Sequence, residues 1–324
     1  MILVLSQSFE SSTYKVIKWL DYLGGNYTKI NGSELIRKDY TLELNNDKDI
    51  INSLFDINIV WYRRWIGFGE INEMIVEPSK LPNSFHTFED FFKEELGAIQ
   101  GYIFTKLANL NFVNKGCLNE PNKLAVLSLA NECGLNIPNS IITSSKNSLK
   151  EFYKKNKRII TKPIKKHIGV KLQKGFYTTY TTEVDDATIQ NLNDSFFPSF
   201  FQELLVARME VRICYLNCEF YPMGILQRSG NKSIDIRNFD RDNPHRLIPI
   251  KIPLEIEEKL SVLMKLMSLE FASIDMIVTE DNKWVFLEVN PNGQFSMVSY
   301  PCNYQIEKKV AEFLINKDIE NERV

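Results

Sequence analysis

Apolar residues along the chain change period several times, and each change predicts an element. The continuous run MILVLSQ reads as a first strand rather than a signal peptide, because it carries no basic region. STYKVIKWLDYLGG has helical spacing with a Ser/Thr start and a Gly-Gly stop, and INIVWYRRW is a second strand. FEDFFKEELGAIQGYIFTKLANL sets Phe91, Phe92, Leu96, Ile99 and Ile103 near one helical stripe. Together these predict a small α/β lobe that ends near Lys115.

EPNKLAVLSLANECGLNIPNSIITSS opens a second lobe, with Pro121 early in a helix, Gly134 at its C-cap and Pro138 ahead of a short strand. The helix SLKEFYKKN precedes KRIITKPI, a β-branched strand interrupted at Pro163. From about Phe200, FFQELLVARMEVRICYLNCEFYPMGILQR is rich in strand formers, and SIDIRNFDRDNPHRLIP reads as a loop. LEIEEKLSVLMKLMSLEF predicts a helix, FASIDMIV and WVFLEVN a hairpin around TEDNK, and YQIEKKVAEFLINKDIE a last helix.

The hairpin raises a chemical question, because its second strand runs from Trp284-Val285-Phe286-Leu287 straight into Glu288, Asn290, Asn292 and Gly293. Glu288 and Asn290 are two apart, so an extended chain points both to one side. With Glu280 to Lys283 as a four-residue loop, Thr279 pairs with Trp284 and Asp275 falls opposite Glu288. Two facing carboxylates repel unless something positive lies between them. Asp275, Glu288 and Asn290 then form an oxygen cluster suited to a hard cation such as Mg²⁺.

Charge sharpens this reading. The protein's formal net charge of -2 gives no overall attraction to nucleic acid or to anionic membranes, and no apolar run has the length of a membrane span. Yet nine Lys/Arg and no Asp or Glu lie between Lys154 and Thr182, which implies a local anionic partner. A solvated helix face accounts for Lys154, Lys155 and Lys157. Lys162 differs: it ends an apolar strand beside a proline, where it can hold phosphate oxygens as a point charge. The following KKHIGVKLQKG has two glycines and can fold over phosphates as a loop. Five scattered cysteines and three histidines (His86, His167, His245) offer neither a zinc set nor a Ser-His-Asp arrangement; reduced thiols in a cytoplasmic protein are expected.

In this order and spacing, WYRRW (61–65), NKLAVLSLANECGLNIPNSIIT (122–143), ITKP (160–163), FQELLVARMEVR (201–212), DIRNFD (235–240), SIDMI (273–277), FLEVNPNGQF (286–295) and CNYQIEKKVA (302–311) resemble the ATP-grasp superfamily. Within it the chain resembles the graspetide maturases, which make ω-ester or ω-amide crosslinked peptides, and among them the grasp-with-spasm subgroup. The resemblance implies an α/β (α+β lobes) ATP-grasp fold in three lobes: a pre-ATP-grasp domain over 1–115, a central lobe over 116–200 and a C-terminal lobe over 201–324. Nucleotide would lie between the last two.

By the same resemblance, Lys123 and Lys162 neutralise nucleotide phosphates. Gln202, Glu203, Leu204 and Val206 form the adenine hinge, Glu210 accepts from the ribose, and Phe201, Leu204 and Val206 give an apolar slot for the base. Arg212 and Arg237 reach the reacting phosphate or acyl phosphate with Lys162, and Asp275, Glu288 and Asn290 are the magnesium ligands. Arg63, Arg64 and Arg246 are candidates for the peptide's acidic side chains, since arginine offers carboxylates a bidentate fork. Trp61 and Trp65 are expected to pack, and Cys302 to be buried.

ATP and Mg²⁺ are the implied cofactors, and a precursor peptide the implied partner, with no nucleic acid or membrane; relatives imply a homodimer. The reaction implied is phosphorylation of Asp/Glu side chains of the precursor and their joining to Ser/Thr hydroxyls or Lys amines. An amino-acid ligase of the glutamate-ligase type is a second reading, and a non-catalytic peptide- or RNA-binding module a third. The six-residue set Lys123, Lys162, Arg237, Asp275, Glu288 and Asn290 weighs against the third, since a pure binder needs no metal ligands opposite phosphate lysines.

Overall fold

The structure, a computed structural model, describes residues 1–37, 44, 57–66, 85–114, 121–165, 169–172, 175–178, 181–226 and 245–322. The chain divides into two compact units, Met1–Leu118 with Gln294–Ser299 and Gln305–Val324, and Asn119–Gly293 with Tyr300–Tyr304.

The first unit opens with β1 (Ile2–Ser6), every residue of which is buried, as befits the middle strand of a parallel sheet. After α1 (Ser11–Leu23), β2 (Tyr27–Asn31), α2 (Gly32–Arg37) and β3 (Ile59–Tyr62), the sheet order is β2-β1-β3 with both pairings parallel. The Ser/Thr start expected for α1 is not its cap. Glu10 takes that place and accepts from the Thr13 N–H, while the Ser12 hydroxyl is committed to Gln294 at 2.7 Å. Gly24, at φ 73°, ends the helix as expected.

The long helix α3 (Phe85–Leu107) buries Ile103 and Leu107 against Leu3, Leu5, Val60, Trp65 and Phe112. Phe91 does not join this core: it is exposed, its ring edge-on to Phe92. Adjacent helical residues point about 100° apart, and Phe92 is half-buried where Phe91 is exposed.

The second unit begins with α4 (Lys123–Glu132), capped by the Asn122 side chain, which accepts from the Leu124 and Ala125 N–H groups. Pro121 therefore precedes the cap rather than sitting inside the helix. Gly134, at φ 78°, closes the other end, with Leu135 N–H returning to the Ala130 carbonyl at 3.0 Å. Next come β4 (Ser140–Ser145), α5 (Lys146–Asn156), β5 (Ile159–Thr161), β6 (Gly169–Leu172), β7 (Gly175–Thr178), β8 (Thr182–Val184), α6 (Asp186–Asn191) and β9 (Ser195–Glu203). Four of these strands make an antiparallel sheet, β4-β9-β5-β8, with a core of Leu149, Ile159, Val184, Ile189 and Phe201. Within the segment expected to fold over phosphates, Gly169–Leu172 and Gly175–Thr178 form a two-stranded pair, β6 with β7, while residues 166–168 and 173–174 lie outside the described residues.

A five-stranded antiparallel sheet follows, from β10 (Ala207–Leu216), β11 (Glu219–Leu226), β12 (Arg246–Pro249), then α7 (Leu254–Leu266), β13 (Phe271–Thr279) and β14 (Trp284–Asn290), in the order β12-β11-β10-β13-β14. Residues 246–249, read as loop from the sequence, pair with β11 at the sheet's edge. Ile256, Leu260, Leu263 and Met264 give α7 its buried stripe, and Glu255, Glu257 and Lys265 suit its dipole. The chain ends with α8 (Ser296–Cys302), which the sequence reading lacks, and α9 (Ile306–Glu322), which packs with α1 in the first unit. Glu307 of α9 accepts from the hydroxyls of Ser296 (2.7 Å) and Ser299. Among the described residues no helix is long and apolar enough to cross a membrane.

Candidate active site

Three neighbouring strands bring the charged positions of the second unit to one sheet face. Arg212 on β10 is the cross-strand partner of Asp275 on β13, and Asp275 is the partner of Glu288 on β14. Directly paired residues share a face, and Glu210 joins them two positions before Arg212.

The register that achieves this is not the simple one. Trp284 pairs with Val278 rather than Thr279, so near the turn the strands run one residue out of step with the expected pairing. A bulge between Asp275 and Met276, opposite the extra residue Leu287, restores the pairing of Asp275 with Glu288. Without it Glu288 would face the other way, since a one-residue slip flips side chains across the sheet.

The Arg212 guanidinium grips Asp275 with two parallel bonds, Nε to Oδ1 and Nη2 to Oδ2, both 2.7 Å. Burial pulls the arginine's pKa down, but the hydrogen bond and charge of Asp275, then Glu288 and Glu210, more than reverse this and raise it. The fork uses two of the roughly four lone-pair sites of a carboxylate, so Asp275 retains acceptor capacity.

Glu288 meets Lys123 Nζ at 3.3 Å, with 38% of its side chain exposed. Burial pushes the Glu288 carboxyl up, yet Lys123, then Lys162, and finally Arg212 hold it below the ordinary value. Lys123 is the first residue of α4, whose first turn has no acidic residue. A cation there opposes the helix dipole, so the helix itself does not favour its placement. Lys162 follows β5 directly, and its Nζ lies 5.8 Å from the Phe200 ring centre. Asn290, at the end of β14, accepts from the Asn292 N–H through Oδ1 at 2.9 Å.

The segment expected as the adenine hinge is held by several hydrogen bonds. Buried Gln202 donates from Nε2 to the Ser140 hydroxyl at 3.0 Å. Glu203 accepts through Oε2 from the Asn139 side-chain amide at 2.8 Å and from its backbone N–H at 3.3 Å. That carboxylate is thus held by Asn139. The N–H groups of Glu203 and Leu204 donate to the carbonyls of Asn139 and Arg158, and Val206 is exposed.

Phe201, expected in the base slot, belongs to the core with Leu149 and Ile189. Phe200 and Ile160 lie on the opposite face from it, toward Lys162.

Of the arginines expected to meet the peptide's acidic side chains, Arg63 is wholly buried in the first unit, 4.0 Å from Glu10 and over the rings of Trp61 and Phe295. Trp61 and Trp65 are buried, as is Cys302. Arg64 is half-buried in the first unit, and Arg246 is exposed on β12. Arg237 and His167 lie outside the described residues.

Among the described residues no three His, Cys, Asp or Glu side chains gather as a metal cluster. Two carboxylates and one amide oxygen are the donors at hand. Mg²⁺ fits such a set: it takes one or two carboxylates with waters and substrate phosphates, not an all-protein cage.

No family model matches this sequence, and no curated protein does. Solved structures match over nearly the whole chain. The macrocyclase MdnC of Microcystis aeruginosa MRC, bound with precursor peptide MdnA, has a TM-score of 0.75 at 23% identity, covering 98% of this chain and 99% of that one. A RiPP-associated ATP-grasp ligase of Chryseobacterium gregarium, in complex with ADP and a leader and core peptide, gives 0.73 at 19%, covering 98% and 96%. D-alanine–D-alanine ligase of Bacillus anthracis gives 0.52 at 16%, covering 99% and 98%. The chain has the ATP-grasp fold.

Proposed function

We propose that this ATP-grasp protein is an ADP-forming ligase that crosslinks a ribosomal precursor peptide. It activates Asp/Glu side chains of the peptide with ATP and joins them to Ser/Thr hydroxyls, or to Lys amines. The observation that carries this is the charge cluster of the second unit, where Lys123, Lys162 and Arg212 are set against Asp275 and Glu288. Such a cluster exchanges partners readily: a triphosphate takes the lysines and a divalent ion takes the carboxylates. Similarity to structures holding precursor peptides at TM-scores of 0.75 and 0.73, against 0.52 for the amino-acid ligase, favours a peptide substrate.

In this reading nucleotide lies between the four-stranded and five-stranded sheets of the second unit, and the functional lobes are 1–115, 116–200 and 201–324. The Leu204 carbonyl and Val206 N–H meet the adenine edge, Phe200 and Ile160 its face, and Glu210 the ribose. Gln202 and Asn139 keep the hinge in shape. Lys123 and Lys162 hold the phosphates.

Mg²⁺, held by Asp275, Glu288 and Asn290, would supply charge neutralisation at the phosphate oxygens. A side-chain carboxylate oxygen of the peptide attacks the γ-phosphorus, and ADP leaves. Neutralising the negative charge of the transferring group and of the acyl phosphate that results is the role assigned to Lys162, Arg212 and Arg237. A hydroxyl or amine of the same peptide then attacks the acyl carbon, loses its proton, and phosphate departs with the former carboxylate oxygen. Arg64 and Arg246 are the remaining candidates for docking acidic side chains; Arg63, sealed in its unit, is structural. The site of action is the cytoplasm, consistent with the free thiols of Cys133, Cys214, Cys218 and Cys302.

Mass spectrometry of a Thr/Ser- and Asp/Glu-rich peptide encoded beside the gene, incubated with protein, ATP and Mg²⁺, tests the proposal. Loss of one water per crosslink, slowed about 10²–10³-fold by Glu288→Gln, is expected. ATP turnover without dehydrated peptide, but with a free amino acid joined to a carboxylate, would replace the peptide with the amino-acid substrate.

A further inference from the structure

The third oxygen donor, Asn290, is held by a turn whose geometry leaves no room for a side chain. We propose that Gly293 and Ser273 act as a positioning pair for Asn290, setting the amide oxygen where a divalent cation can use it. The inference rests on the ligase reading above, and it concerns residues that would touch neither nucleotide nor metal.

Asn290 and Ser273 are cross-strand partners at the end of the β13–β14 pairing. Beyond Asn290 the chain turns at once: Asn292 N–H donates to Asn290 Oδ1 at 2.9 Å, and Gly293 N–H donates to the Asn290 carbonyl at 3.1 Å. The first bond fixes the plane of the Asn290 amide and leaves its oxygen a second lone pair. The second folds Gly293 back onto β13. A Cβ on Gly293 would stand 2.2 Å from Ser273 Cβ and 2.3 Å from its Oγ, and 3.2 Å from the Asn290 carbonyl oxygen. Contacts that short are repulsive, and Ser273 is buried, so its Cβ cannot swing aside.

Gly293 is not among the described glycines with positive φ, so the demand is for space and not for a left-handed backbone. Not every glycine here is placed this way: a Cβ on Gly97 or Gly101 would meet nothing within 4 Å.

A methyl group at 293 must therefore push the turn off β13 or shift the strand ends. Either movement carries the Asn290 amide away from Asp275 and Glu288, which sit on the same two strands. The expected consequence is loss of metal affinity with the metal-free nucleotide site intact. Outer residues that orient metal ligands commonly govern affinity by about 10- to 100-fold.

The test titrates Mn²⁺, followed by electron paramagnetic resonance, into protein with ADP. Metal-free ADP binding is measured separately by calorimetry, and circular dichroism checks folding. For Gly293→Ala the expected result is Mn²⁺ affinity about 10- to 100-fold weaker, with metal-free ADP affinity unchanged. Adding Ser273→Gly removes the two obstructing atoms and should restore Mn²⁺ affinity to the wild-type value.

Wild-type Mn²⁺ affinity in Gly293→Ala overturns the pair, and so does a loss that Ser273→Gly fails to restore. Wild-type protein that binds ADP with no contribution from Mn²⁺ overturns the ligase reading itself, a separate outcome. Should Gly293→Ala not fold, the double variant decides. Wild-type Mn²⁺ affinity there supports the pair; a loss of about 10-fold or more in folded double variant, or failure of that variant to fold, overturns it.

Discussion

Arg63 and Glu10 in the first unit are sealed, their side chains 0% and 3% exposed, whereas Arg212 and Asp275 in the second are 28% and 23% exposed. Around the sealed pair every neighbour adds fixation. Glu10 receives Gln294 and the Thr13 N–H, Gln294 receives Ser12, and aromatic rings lie under the guanidinium. The open pair has instead a second carboxylate beside it, Glu288, attended by Lys123 and Lys162. Solvent can replace each partner there, and so can a ligand. Burial thus separates an ion pair that fixes a fold from one available for exchange, although the chemical groups are the same.

Four changes test this contrast, in descending order of expected effect. Glu10→Ala removes the carboxylate facing a wholly buried guanidinium, and should lower unfolding free energy by about 3–5 kcal/mol in urea titrations. Glu288→Gln should do the reverse of this: stability within about 1 kcal/mol of wild type, but crosslinking turnover down by about 10²–10³-fold. If Glu288→Gln instead cost several kcal/mol of stability with turnover intact, the open cluster would be structural after all.

The third change is of pH. Burial raises the Glu10 carboxyl, but Arg63, then the Thr13 and Gln294 hydrogen bonds, leave it below its ordinary value. Such a group stabilises the fold fully above the unfolded carboxylate pKa of about 4.3, and that stabilisation is lost as pH falls through the lower native value. Glu10→Gln should therefore flatten the acid limb of the stability curve, as read by urea midpoints from about pH 6 to about pH 3. Smallest of all should be Arg158→Ala. The Arg158–Glu183 fork is well formed at 2.7 and 2.9 Å, yet it lies at the surface, and its loss should cost at most about 1 kcal/mol.

Much of the open site could be read from the chain because strands alternate with period two. Glu288 and Asn290, and Glu210 and Arg212, are pairs at that spacing, and an apolar run ending in Lys162 and a proline marks a strand end. The expected turn is one residue shorter than the observed one, and the pairing of Asp275 with Glu288 holds only because a bulge offsets that difference; bulges leave no local signal in composition. The Phe200/Phe201 phase was ambiguous for a related reason, since both are apolar and either face is buried.

The sealed pair was hidden more deeply. Nothing in QSFESST marks Glu10 as the cap in preference to the serines, and Arg63 looks like a surface arginine until Trp61 and Phe295 close over it. Edge strand β12 and helix α8 were missed because Arg246–Pro249 is short and ends in proline, and Pro301 interrupts the helix.

The central claim is that a peptide carboxylate takes a phosphoryl group at the open cluster. Precursor peptide with ¹⁸O in its Asp and Glu side chains tests it most directly, with inorganic phosphate analysed by mass spectrometry after crosslinking. One labelled oxygen should appear in phosphate for every crosslink formed. Crosslinked peptide accompanied by unlabelled phosphate would contradict the account.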